Sequence, residues 1–227
     1  MILSLISIAG AGDLGLTPYA GTDFPLMAGA GITHELPGRL RIDGAAGLLP
    51  GPYWDTVNRT LVSAEVYSED TAELIDILLT GALVLRLEAG WRPWERRGFF
   101  FTAGYQHLGL AGGSTNIALY ADGITASLYE AASSVFGDLE VLVVPSMVLG
   151  RTGWEWHVRE SILLRATLGF AYTVRSRSEV SMTDPPRNPI AAALSDSLAE
   201  EAEAYLDDVF ESWVHTPMIG VYSGFRF

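Results

Sequence analysis

From Ile162 to Val174 the chain alternates without a break: Ile162, Leu164, Ala166, Leu168, Phe170, Tyr172 and Val174 on one side, Leu163, Arg165, Thr167, Gly169, Ala171 and Thr173 on the other. A period of two puts these sets on opposite faces of one β-strand. The run is more than twice the usual strand of about five to six residues. A second such run sets Leu83, Leu85, Leu87, Ala89 and Trp91 against Val84, Arg86, Glu88, Gly90 and Arg92. A chain built from strands this long folds as a sheet whose two faces meet different surroundings.

Further strand runs are 26–35, 39–48, 99–107, 139–156 and 217–227, with a bulge expected near Gly150, where the alternation changes phase. The weakest, Ile2–Gly10, makes an eighth; it has no Arg or Lys before Arg39, so it reads as mature chain and not as the remnant of a signal peptide. Short connections at 36–38, 93–96 and 158–161 alternate with long ones at 50–80, 109–137 and 179–212. That alternation gathers the long loops at one end of an up-and-down antiparallel order.

Each long loop carries a helical pattern. In the third, Pro189 is placed as a first helical residue, Ile190, Leu194, Leu198, Tyr205, Val209 and Phe210 share one side, and Glu200, Glu203 and Asp207 the other. In the first, Asp70 or Thr71 caps a helix running to Thr80, and in the middle one Ile124–Val135 is a weaker helix.

Alternation alone does not say which face is inside. The second face is small and charged: glycines such as Gly29, Gly104 and Gly169, threonines such as Thr33 and Thr102, and a set of lumen charges, Arg86, Glu88, Arg151, Glu155, Arg165 and Arg175. Such a face suits a narrow barrel interior plugged by ion pairs, which leaves the apolar face outside and no open pore. All fourteen basic residues are Arg, against 27 acids, for a net charge of -13. That balance excludes a general nucleic-acid binder, and the absence of cysteine excludes disulfides and thiolate metal sites. Taking 11–23, 50–80, 109–138 and 183–212 as the loop end places 19 acids and 2 Arg there, so the negative charge sits at one end. Trp91, Trp94, Trp154 and Trp156 gather at the short-turn end and Tyr105, Tyr172 and Trp213 toward the other, as two aromatic girdles at the headgroup levels would.

The ending Gly220–Phe227, with Tyr222, Phe225 and Phe227 in a final strand, resembles the carboxy-terminal assembly signal of bacterial outer-membrane β-barrels, and the whole chain is similar to the small, eight-stranded members of that class. The resemblance implies a single transmembrane barrel domain over 1–227 and recognition by the barrel-assembly machinery. It also implies contact with outer-membrane lipid and lipopolysaccharide, both termini and the short turns in the periplasm, and extracellular helical loops.

No catalytic residue, metal site or cofactor is expected. His107 and His215 share the outward parity near one rim, but no Ser lies within two residues of either, and an interfacial role is preferred for both. His34 and His157 fall near the short turns. The acidic segment Asp196–Glu211 lacks the spacing of a calcium loop and reads as a solvated helix face. The expected function is a structural or binding component whose acidic helical loops contact a protein partner or the cell surface. The alternatives are a lipid-modifying enzyme or a barrel carrying small apolar molecules, and then a soluble lipocalin-type barrel.

Overall fold

The structure is a computed structural model that describes residues 15–65, 69, 72, 76, 79–94, 98–109, 111–115, 139–159, 161–182, 189–213 and 215–225. Its strands are β1 (Leu16–Phe24), β2 (Met27–Leu36), β3 (Leu40–Leu48), β4 (Leu83–Trp91), β5 (Phe99–Gly109), β6 (Ala111–Thr115), β7 (Leu139–Val143), β8 (Ser146–Arg159), β9 (Ile162–Arg175), β10 (Ser178–Met182) and β11 (Thr216–Phe225). Its helices are α1 (Gly51–Ser63) and α2 (Pro189–Trp213).

Eight strands close into an antiparallel barrel in the order β1-β11-β9-β8-β5-β4-β3-β2. Closure comes from β1, which pairs with β2 on one side and with β11 on the other, so no barrel strand is left with an open edge. The eighth strand is therefore Leu16–Phe24 and not Ile2–Gly10, a segment that lies outside the described residues. Residues 16–23 had been expected among the loops, because Gly15, Pro18, Gly21 and the mixed faces of this stretch weaken its alternation.

The short connections 37–39, 92–98 and 160–161 sit at one end, where β1 begins and β11 finishes. Gly38 makes the first of these turns with φ +81°, a left-handed conformation that costs glycine little. At the other end lie the long connections and one tight turn, Pro25–Leu26.

Three strands continue past the rim. Pro145 and Ser176–Arg177 interrupt the ladders, and beyond them β6, β7 and β10 form a second sheet in the order β10-β7-β6. The run 139–156 is thus two strands, and the irregularities of β8 fall at Ser146/Met147 and His157/Arg159 instead of Gly150. Proline at 145 supplies no N–H to a ladder, which is why the break falls there.

Helix α2 has the limits that its pattern suggests, from Pro189 past Phe210. Glu69, Ala72, Asp76 and Leu79 have helical backbone in the first loop, whereas α1 was not foreseen: Pro50, Pro52, Thr56 and Thr60 mask its periodicity. The expected middle-loop helix, Ile124–Val135, lies outside the described residues. Among the described residues no helix is long and apolar enough to cross a membrane, which says nothing of strands.

Candidate functional site

The barrel interior is filled by charge. Nearest the short turns, Arg92 bonds Glu155 and lies 3.0 Å from Glu35. Above it, Arg41 reaches Asp43 and Glu155, each at 2.8 Å, and Arg165 reaches Asp43 at 3.0 Å and Glu155 at 2.7 Å. The guanidinium carbons of Arg41 and Arg165 stand 4.2 and 5.4 Å from the Phe100 ring centroid. Tyr19 divides this cluster from the next, with the Arg165 guanidinium 4.7 Å from its ring on one side and the Tyr222 ring edge-on at 5.3 Å on the other.

In the second cluster Arg151 holds Glu88 through Nε at 2.9 Å and Asp23 through Nη1 at 3.0 Å. Arg86 bonds Asp23 and donates to the Tyr222 hydroxyl at 3.0 Å, while Tyr222 donates to Asp23. Thr102 donates to Glu88 at 2.8 Å. The buried charges are Asp23, Asp43, Glu88 and Glu155 against Arg41, Arg86, Arg151 and Arg165, so charge cancels within the lumen. Each ion has multiple partners, which is the condition under which burying it is tolerable. Eight strands leave an interior just wide enough for side chains, and these occupy it.

Of the six lumen charges expected, Arg86, Glu88, Arg151, Glu155 and Arg165 lie in this network. Arg175 does not: the strand has reached the rim by then, and its side chain is exposed. Asp23, Arg41 and Asp43 were missed. Arg41 and Asp43 alternate with Leu40 and Ile42, a signal present in the sequence, whereas Asp23 was counted among the loop acids.

Above the charges the lumen turns apolar. Met27, Val84, Leu108, Met147, Ala171 and Met218 point inward and form one buried cluster with Trp54 of α1 and with Ala202, Leu206 and Phe210 of α2. The last three recur every fourth residue, so one stripe of α2 closes the mouth. The acidic side of α2 is not simply solvated. Glu203 accepts from the Val180 N–H at 2.9 Å, Asp207 from the Ser178 hydroxyl at 2.8 Å and Glu211 from the Ser176 N–H at 3.0 Å. Four helical residues rise about 6 Å and two strand residues about 6.6 Å, so the two spacings stay in step and the carboxylates cover the outer edge of β10.

The outer wall is the reverse of the lumen. Leu87 and Ile219 are 63% and 60% exposed, whereas Glu88 and Arg165 are 1% and 2% exposed. Trp91, Trp94, Trp154 and Trp156 are exposed at the short-turn end, where the Phe99 ring lies 5.6 Å from Trp94 and 5.7 Å from Trp154. Tyr105 and Tyr172 are exposed nearer the cap. Trp213 ends α2 instead of standing on a barrel strand, and its side chain lies outside the described residues. Phe225 faces outward, Phe227 lies outside the described residues, and Tyr222 is a lumen residue, 2% exposed. Its parity with Met218 and Gly220 requires that, so it is not part of an outward-facing aromatic ending.

His215 stacks on Tyr172 with centroids 4.1 Å apart and accepts from the Thr173 N–H at 3.2 Å. The His107 ring, by contrast, meets a serine. Strand pairing sets Ser146 opposite it, with Nδ1 and Oγ 3.2 Å apart, a partner that no search along the sequence near His107 could find. His157 is exposed and His34 half-buried near the short turns. Among the described residues no three His, Asp or Glu are grouped to hold a metal ion.

No family model and no curated protein matches this chain. Among solved structures it is similar to the N-terminal β-barrel domain of Pseudomonas aeruginosa OprF, at 11% identity and a TM-score of 0.44, covering 93% of this chain and 95% of that one. It is similar also to Acinetobacter baumannii CarO, at 11% identity and a TM-score of 0.38, covering 94% and 97%.

Proposed function

We propose that this chain is an integral outer-membrane protein in which the barrel is a sealed scaffold and the acidic helical cap is the working surface, so that it acts as a binding or structural component. One observation carries the reading: an outer wall of exposed Leu, Ile, Val and Phe surrounds a lumen filled by a neutral ionic network. Soluble proteins rarely expose contiguous apolar surface beyond a few hundred Å², whereas a closed barrel satisfies its backbone internally and can present such a wall to lipid. The neutral, filled lumen supports a scaffold over a conduit. The exposed ring of Trp91, Trp94, Trp154 and Trp156 supports an interface at the short-turn end. The placement in the outer membrane, with short turns periplasmic and the cap outside, follows the assembly-signal resemblance.

Protease treatment of intact cells expressing the full chain tests both placement and surface role. Cleavage confined to the long connections 49–82, 110–145 and 176–215, with protected barrel strands in the outer-membrane fraction, is expected. Cleavage only after permeabilisation contradicts the orientation, and recovery in the soluble fraction contradicts the membrane placement. Removing residues 183–212 is expected to spare insertion and abolish binding of a partner or of the cell surface.

The lipid-modifying alternative has the His107–Ser146 pair in its favour, since both stand on the wall near the cap rim. Against it, Ser146 is only 7% exposed, which leaves its hydroxyl little access to an ester. Turnover of vesicle phospholipid that disappears in Ser146→Ala would favour that reading over the scaffold.

A further inference from the structure

We propose that the membrane-side flank of the cap binds a lipid acyl chain, in a groove of about 280 Å³ at the seam where the first and last strands stop pairing. This rests on the membrane reading above. Strands β1 and β11 pair from Tyr19↔Gly224 as far as Phe24↔Ile219 and no further. Beyond lie Pro25 and Pro217, and neither has an N–H with which to extend a ladder. Helix α1 flanks the opening: Trp54, Val57 and Leu61 line it together with Phe24, Pro25 and Pro217.

Three features select the occupant. The groove is close to the lower end of the size range of small-molecule sites, roughly 300 Å³, and its lining is mainly apolar, with hydroxyls and the His215 ring as the polar part and, among the described residues, no Arg, Asp or Glu. A phosphate or other charged headgroup would therefore find no countercharge. Phe24 and Pro217 are also exposed on the outer wall, continuous with Ile219, so the groove is open to whatever covers that wall. Trp54, 3% exposed, adds apolar ring surface to this lining, and the methylenes of an acyl chain suit such walls.

The test uses the full chain folded into phosphatidylethanolamine vesicles that carry a phospholipid with a diazirine midway along one acyl chain. After irradiation, adducts are mapped by peptide, with folding checked by migration of the unboiled protein. The expected result is adducts on the α1 peptide at Val57 or Leu61 as well as on the wall strands β9 and β11. Val57→Trp, which fills the groove, should lower the α1 adducts about tenfold, the loss that ~1.4 kcal/mol of binding carries, and leave the wall adducts unchanged. Leu61→Trp repeats the test should the first variant fail to fold. Wall adducts with none on α1, or α1 adducts indifferent to both substitutions, overturn the acyl site and leave the membrane reading standing. No adducts on the wall overturn the membrane reading and the acyl site with it.

Discussion

Asp23 on the first barrel strand accepts a hydrogen bond from the Tyr222 hydroxyl on the last, joining positions 199 apart inside the lumen. Arg151 donates to both, at 3.0 and 2.9 Å, and Arg86 to both as well. The two strands that must meet to close the barrel are thus also tied through the centre of the ionic plug.

Asp23→Asn should lower the unfolding free energy of the vesicle-embedded protein by about 3–5 kcal/mol, because it leaves Arg86 and Arg151 buried with one carboxylate fewer. The double variant Asp23→Leu with Arg86→Met removes charge of both signs and should recover part of that loss. Urea titrations followed by tryptophan fluorescence measure both. Equal stability of Asp23→Asn and the unaltered chain would remove the plug from the account of closure.

Gly220 sits where a Cβ would collide with the Asp23 carboxylate and the Thr167 hydroxyl. Gly220→Ala should therefore cost about 1–3 kcal/mol through overpacking. A Cβ at Gly44 meets nothing within 4 Å, so Gly44→Ala is the matched control and should stay near neutral. Comparing the two midpoints in urea separates a crowded lumen from a general intolerance of substitution in strands.

Glu203 and Asp207 hold α2 against β10. Replacing both by Ala unpairs the Val180 N–H and the Ser178 hydroxyl, each worth about 1 kcal/mol when bonded. Proteolysis of the cap should accelerate while heat-modifiable migration of the barrel is retained. Loss of the barrel itself would mean that the cap is required for closure.

The barrel strands were legible because one physical rule governs them: each side chain faces either lipid-like surroundings or a narrow lumen, and the parity of Leu83–Trp91 and Ile162–Val174 records it. β1 was not legible, since Tyr19, Gly21 and Asp23 are set by what they meet in the lumen and on β11 and not by a local pattern. The lumen role of Tyr222 was likewise not legible: its parity places it inside, but its bonds to Asp23, Arg86 and Arg151 come from strands distant in sequence. The partnership of His107 with Ser146 depends on the pairing of β5 with β8, which skips the whole 110–145 connection. Glu203 and Asp207 looked solvated because an acidic helix face carries no mark of the strand edge it covers.

His107→Ala and Ser146→Ala are each expected to leave phospholipid in vesicles intact and stability within about 1 kcal/mol, the worth of one part-buried hydrogen bond. Mass spectrometry of the lipid after prolonged incubation checks this. Lipid turnover by the unaltered chain that either substitution abolishes would make the pair catalytic.

The most direct measurement is folding from urea with and without lipid vesicles, read by circular dichroism and by electrophoresis of boiled and unboiled samples. A barrel with an apolar wall and an ionic lumen predicts a β-rich species that forms only with vesicles and migrates differently until boiled. A folded monomer in plain buffer, with no change on boiling, would contradict the lipid-facing wall.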